Sequence, residues 1–171
     1  EPAQTQFFHA GRVHQGDDER QEVILMAATN TVVDQHTRAM IDAGLEPVAI
    51  DVIPAALTRC IQEANGDGHP HVMVDVGYAQ SKVLVCQNNR IFFFKQIDIG
   101  GCAFDQAVMD HLKISRREAS DVRRELADRD DQVQRSVHEA VRPKYVELSR
   151  EISLCLRYYS VTFRGERPEQ V

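Results

Sequence analysis

Short apolar runs alternate along the chain with polar, glycine-marked stretches, and each run has either strand length or helical spacing. Val23–Ala28 is an unbroken apolar run, which predicts a strand covered on both faces. From Thr31 to Ala43, Val33, Thr37, Met40 and Ile41 recur near helical spacing, and Gly44 stands where a left-handed C-terminal cap is needed. Val48–Val52 reads as a second strand. Pro54 suits the first turn of a following helix, to about Ala64, because its missing N–H costs nothing there. The first part of the chain thus reads strand, helix, strand, helix. Residues 1–22 carry Phe7, Phe8 and Val13 without a clear period, and Asp17–Arg20 reads as an exposed turn.

Asn65, Gly66, Asp67 and Gly68 mark a linker over residues 65–70, since glycines and short polar side chains favour turns. Beyond it, His71–Val76, Ser81–Gln87 and Ile91–Ile97 are rich in Val, Ile and Phe and predict an antiparallel meander, with Asn88 and Asn89 as a tight hairpin turn. A helix is expected after Gly100 and Gly101, with Phe104, Ala107, Val108 and Leu112 on one face. Ser115 and Glu118 form a capping-box pattern that starts another helix, carrying Ala119, Val122 and Leu126. The last element places Val133, Val137, Val141, Tyr145, Leu148, Ile152, Leu156, Tyr159 and Phe163 at three- or four-residue steps. Pro143 is expected to kink or divide that helix, since a mid-helix proline removes a hydrogen bond. These elements predict an α/β fold, a mixed sheet with an antiparallel hairpin flanked by helices.

Composition narrows the function. With 171 residues, 43% apolar and 27% charged, the chain is globular in character. No apolar run approaches the ~20 residues needed to cross a bilayer, so a soluble chain with no direct membrane insertion is expected. The net charge of −6, with both signs interspersed over Arg116–Arg135, argues against a nucleic-acid partner. Cys60, Cys86, Cys102 and Cys155 lie too far apart for a zinc knuckle or redox dithiol and read as free thiols of a reducing compartment. His69 and His71 lack a third ligand nearby and read as loop residues. The absence of an initiator Met makes Glu1 an expected internal boundary.

The segment richest in chemistry is Val72–Gly77. A strand ending in Asp75 and Gly77 places a carboxylate beside bare backbone, which lets a phosphate or a hydrated Mg²⁺ approach. Standing alone, such a pair also describes an ordinary β-turn. Its order within the chain is more telling: Asp75 and Gly77, a hairpin to Ile97, Gly100 and Gly101 opening a helix, then the capped helix after Ser115. Here the sequence resembles the actin-like ATPase superfamily, and within it the PilM proteins of type IV pilus assembly, relatives of the cell-division protein FtsA. The resemblance is carried by Val23–Ala28, Ala43–Pro54, Val74–Gly77, Asp98–Gly101 with Phe104, and Val141–Pro143 with Glu147 and Leu148.

The resemblance implies a partial actin-like, ribonuclease H-like fold. Residues 1–64 would be the remnant of a first lobe, including the end of an inserted subdomain. Residues 71–171 would be the core of a second lobe, truncated before the adenosine loop, with Pro168–Val171 starting the strand that leads into it. It further implies that Asp75 holds Mg²⁺ through water, that Gly77 and Ser81 face the phosphates, and that Gly100 and Gly101 approach the nucleotide. On the capped helix, where family members carry Ala-Glu-x-x-Lys, this chain has Ala119, Ser120, Asp121, Val122 and Arg123, so Ser120 replaces the family's carboxylate and only the cation, Arg123, is left near the adenosine. Gln80 and Lys82 depart from the family's Ser/Thr-rich loop. ATP and Mg²⁺ are therefore expected in the intact parent. None is expected on this segment, which lacks the first phosphate hairpin and should have no ATPase activity.

Three functions are compatible with these residues. The first is a cytoplasmic platform peripheral to the inner membrane, which joins the pilus motor to membrane-anchored partners. Resemblance gives the cytoplasmic tail of PilN as the partner, and exposed sheet edges would permit self-association. The second is an actin-fold sugar or acetate kinase or a chaperone-type ATPase, which would need a base such as Asp51 or Asp75. The third is a degenerate scaffold that binds no nucleotide.

Overall fold

A computed structural model describes residues 2–15, 18–65 and 68–163. Asp17 of the expected turn, Gly66 and Asp67 of the expected linker, and the expected terminal strand at Pro168–Val171 lie outside the described residues. The chain divides into two compact units. One comprises Glu1–Val72, Leu84–Phe94 and Val161–Val171, the other Met73–Val83 and Lys95–Ser160.

In the first unit, β1 (Ala3–Gln15) and β2 (Asp18–Thr29) pair antiparallel as a two-stranded ribbon, so Asp18, Glu19 and Arg20, expected in a turn, are instead paired strand residues opposite Gln15, His14 and Val13. Val23–Ala28 does form a strand, but the expectation of cover on both faces fails, since Val23 and Leu25 remain exposed while Ile24 and Met26 are half-buried. The run conceals a period-two alternation that a single covered face requires. The register slips at a bulge between His9 and Gly11, and the extra residue, Ala10, is fully buried. Gly11 lies against the rings of Phe163 and Phe92, which meet edge to face at 5.5 Å.

Helix α1 (Asn30–Asp42) follows, with Thr29 as its N-cap and Gly44 in the left-handed region at φ 78°. The strand expected at Val48–Val52 is not found. This segment lies between Pro47 and Pro54 with Val48 and Ile50 exposed, and no described strand pairs with it. Helix α2 (Ile53–Asn65) then starts beside Pro54, as expected.

Strands β3 (His71–Val76), β4 (Ser81–Gln87) and β5 (Arg90–Ile97) form a three-stranded sheet in that order. Links this short between neighbouring strands permit only antiparallel pairing. Asn88 and Asn89 make the β4–β5 turn with φ 49° and 59°, the left-handed pair that such a hairpin needs. Central strand β4 is buried on both faces through Val83, Leu84, Val85 and Cys86.

The second unit adds α3 (Gly101–Leu112), α4 (Arg116–Arg124), a single 3₁₀ turn at Leu126–Asp128, and α5 (Asp131–Phe163) as far as Ser160. Phe104 and Val108 of α3 are buried, as are Val137, Ala140, Val141, Leu148, Cys155 and Tyr159 of α5. The apolar stripe read from the sequence is thus the core face, although Tyr145 is half-exposed and stacks on Phe104 at 4.7 Å. Pro143 does not divide α5, which runs unbroken through it. Pro143 and Glu139, whose carbonyl loses its intrahelical partner, both lie on the exposed side, where water can satisfy that group.

Candidate functional site

Asp75, Gly77, Ser81, Gly100, Gly101 and Arg123 all lie in the second unit, the first three at the turn from β3 to β4. Strand β3 carries Asp75 near its end, and the turn is closed by the Gly77 amide donating to the Gln80 carbonyl at 3.0 Å. Ser81 opens β4, fully buried, with its hydroxyl donating to the Ile99 carbonyl at 2.6 Å. That bond fastens the turn to the segment leaving β5. Gln80 adds a second tie by donating to the Asp98 carboxylate at 3.1 Å.

Helix α3 starts directly against this turn. The Gly101 amide donates to the Gly77 carbonyl at 2.9 Å, and the Cys102 amide to the Tyr78 carbonyl at 2.8 Å. The Ala103 amide donates to the Gly100 carbonyl at 3.0 Å. The first three N–H groups of α3, which a free helix N-terminus would offer to an anion, are therefore already used within the protein. The glycines make this contact feasible. A Cβ on Gly100 would lie 2.6 Å from the carbonyl oxygens of both Gly77 and Tyr78, so only a residue without a side chain lets the two backbones meet.

Two charged pairs flank the corner. Lys82, one residue into β4, donates from Nζ to Asp75 Oδ2 at 2.9 Å, with the ammonium largely buried and the carboxylate still 43% exposed. Arg123 of α4 donates to the Gly101 carbonyl at 3.1 Å and pairs with Asp105, a fully buried carboxylate. Its guanidinium also lies 5.3 Å from the Phe104 ring centre. Arg123 therefore fixes α4 to the first turn of α3. The capping box at the start of α4 is present, with Glu118 Oε2 accepting from the Ser115 amide at 2.8 Å and from its hydroxyl at 2.6 Å. These bonds hold the Glu118 carboxyl below its ordinary pKa.

The structure thus gathers Asp75, Gly77, Ser81, Gly100 and Gly101 around one turn and joins Arg123 to it through a carbonyl. Asp51 belongs to the first unit. It accepts from the Val52 amide at 2.8 Å and pairs with Arg59, which holds its carboxyl below the usual range. The pairing of Gln80 with Asp98 and of Arg123 with Asp105 was not legible in the sequence, because each is reached across a turn or between helices rather than at a helical or strand interval. Lys82 and Gln80 stood out only as departures from a family pattern.

The fit to Mg²⁺ and ATP divides along the same lines. Among the described residues no group of three or more His, Cys, Asp or Glu side chains could hold a metal ion. The carboxylate that would hold hydrated Mg²⁺ already holds an ammonium, so Asp75 does not fit a second cation. The turn itself, with its tight backbone and adjacent positive charge, remains compatible with an anion.

Comparison with known proteins adds to this geometry. No curated protein matches. Among solved structures, the chain is similar to a PilM-PilN type IV pilus biogenesis complex with a TM-score of 0.72 and 20% identity, over 93% of this chain and 46% of that one. It is also similar to the ethanolamine utilization protein EutJ from Carboxydothermus hydrogenoformans, with a TM-score of 0.54 and 18% identity, over 78% of this chain and 54% of that one. The chain spans about half the length of the solved chains it matches, and the likeness gives it part of the actin-like α/β fold. The family model described as Type IV pilus assembly protein PilM matches residues 6–171, and the chain, with its strand, glycine turn and helix in the order that fold requires, belongs to the PilM family.

Proposed function

We propose that the intact protein is a cytoplasmic, actin-like platform of type IV pilus or related secretion assembly, peripheral to the inner membrane, which links the motor to membrane-anchored partners. The observation that carries this reading is the family match over residues 6–171, supported by the likeness to a solved PilM-PilN complex. The partner is a PilN-like cytoplasmic tail. It docks where the ribbon β1–β2 faces α1 and the segment before α2, a groove of about 520 Å³ whose lining includes Gln4, Gln6, Met26, Ala28, Val33 and Ile50. An apolar floor with amide-bearing walls suits an extended peptide with alternating apolar side chains. Titrating the full-length protein with a PilN-tail peptide tests this, and Met26→Glu should weaken binding by about tenfold or more. Unchanged affinity would place the tail elsewhere.

In this reading the corner at Gly77 and Gly100 faces the phosphates of a nucleotide, with Asp75, Gly77, Gly100 and Gly101 forming its backbone side. Ser81 and Arg123 brace it from behind, through the Ile99 and Gly101 carbonyls. ATP should then stabilise the full-length protein, by about 2.7 kcal/mol at one hundred times its dissociation constant. A second reading, a scaffold that binds no nucleotide, is favoured by the three α3 amides already engaged. The absence of any thermal shift with ATP would select it.

A further inference from the structure

The ion pair between Lys82 and Asp75 sits beside the turn from β3 to β4. Lys82 Nζ lies 2.9 Å from Asp75 Oδ2, and 3.9 Å from the place a Cβ on Gly77 would occupy. The ammonium is thus held against the open face of the turn's glycine. Its side chain is only 17% exposed, so the charge is fixed in place by surrounding structure rather than free to swing away.

From this geometry we infer that Lys82 takes the place of the divalent cation at this corner, so that a nucleotide polyphosphate is met by the Lys82 ammonium and bound without Mg²⁺. Three observations carry the inference. Asp75, at the end of β3, already has its charge matched by Lys82. A Mg²⁺ placed on the same carboxylate would lie within a few ångströms of a fixed positive charge. The amides of Gly101, Cys102 and Ala103 are spent on carbonyls, so positive charge for an anion must come from a side chain. Lysine is a competent phosphate partner as a compact point charge.

This inference rests on the nucleotide reading above, and one experiment separates their failures. ATP affinity is measured for the full-length protein at constant ionic strength, in Mg²⁺ and in EDTA, for the wild type, Lys82→Ala and Lys82→Arg. The wild type should bind equally in both, within about twofold. Lys82→Ala should lose about tenfold in EDTA and recover in Mg²⁺, because Asp75 is then free to hold the hydrated ion. Lys82→Arg keeps the charge and should keep the metal independence, which guards against misfolding of the alanine variant. Wild-type binding that tightens about tenfold with Mg²⁺, or Lys82→Ala binding in EDTA as tightly as wild type, would overturn the inference and leave the nucleotide reading standing. Failure of all three proteins to bind ATP would overturn both.

Discussion

Strands β2 and β4 both carry apolar runs, Val23–Ala28 and Val83–Cys86, yet Leu25 is 67% exposed and Leu84 is 0% exposed. The two runs differ in neighbours rather than in composition. Strand β4 has a partner on each side and cover on both faces, whereas β2 has one partner in a two-stranded ribbon and a single half-covered face. A hydrophobic run therefore specifies extended backbone, while the position of the strand in its sheet decides how much of that run stabilises the fold. The ribbon leaves apolar side chains such as Leu25 exposed, and the three-stranded sheet buries its own.

Paired substitutions sharpen that contrast, and the largest effect is expected in the core. Leu84→Ala should cost about 2–5 kcal/mol, through lost burial and the cavity left behind. Leu25→Ala, chemically the same change, should cost about 0.5 kcal/mol or less, since it removes little buried area. Urea unfolding of the full-length variants measures both. Equal costs would mean that the ribbon is covered as thoroughly as the sheet.

Glycines give the next pair. An added Cβ at Gly100 meets two backbone carbonyl oxygens at 2.6 Å, which cannot yield without moving the turn or the start of α3. Gly100→Ala should therefore destabilise by about 1–3 kcal/mol, and ATP affinity should fall with it if the corner binds phosphate. At Gly11 the nearest atoms are ring carbons of Phe163 at 2.9 and 3.0 Å, at the far end of a side chain that can rotate aside. Gly11→Ala should cost visibly less and leave nucleotide affinity unchanged. A larger loss at Gly11 would show that the Phe92 and Phe163 contact is as rigid as the corner.

What the sequence made legible follows the same division. Local chemistry was readable wherever a few neighbouring residues decide the outcome. The left-handed Asn88 and Asn89, the cap at Gly44, the capping box of Ser115 and Glu118, and the proline-started α2 all fall in this class. Strand β1 was not readable, because its Gln, Thr, His and Arg side chains form no apolar run, and its pairing with β2 is what orders it. Val48–Val52 looked like a strand, but strand-forming side chains do not supply a hydrogen-bonding neighbour. Within the candidate site, the glycines and Asp75 were visible as a motif. The engagement of α3's amides by the turn was not, since a backbone contact between residues more than twenty apart leaves no trace in side-chain pattern.

The smallest expected effect concerns ion pairs, where the two regions again differ. Across the ribbon, Arg12 and Glu19 approach to 3.4 Å with both side chains mostly exposed, so Glu19→Gln should change stability by about 0.5 kcal/mol or less. In the second unit, Lys95 at the end of β5 donates to Glu151 of α5 at 2.8 Å, and the pair is less exposed. Its hydrogen bond, with the charge attraction second for Glu151, holds the Glu151 carboxyl below its ordinary pKa and the Lys95 ammonium above its own. The signs define a window. Glu151 contributes stability that is present above its unfolded pKa and is lost as pH falls through the depressed folded value. Lys95 contributes stability that is complete below its unfolded pKa and is lost as pH rises through the raised folded value. Stability should therefore sag at both the acid and the alkaline ends, and Glu151→Gln should flatten part of each slope when urea midpoints are followed against pH. Glu19→Gln should leave both slopes as they are, and a matching change in that variant would mean that the ribbon's pair is as firmly held as the one between β5 and α5.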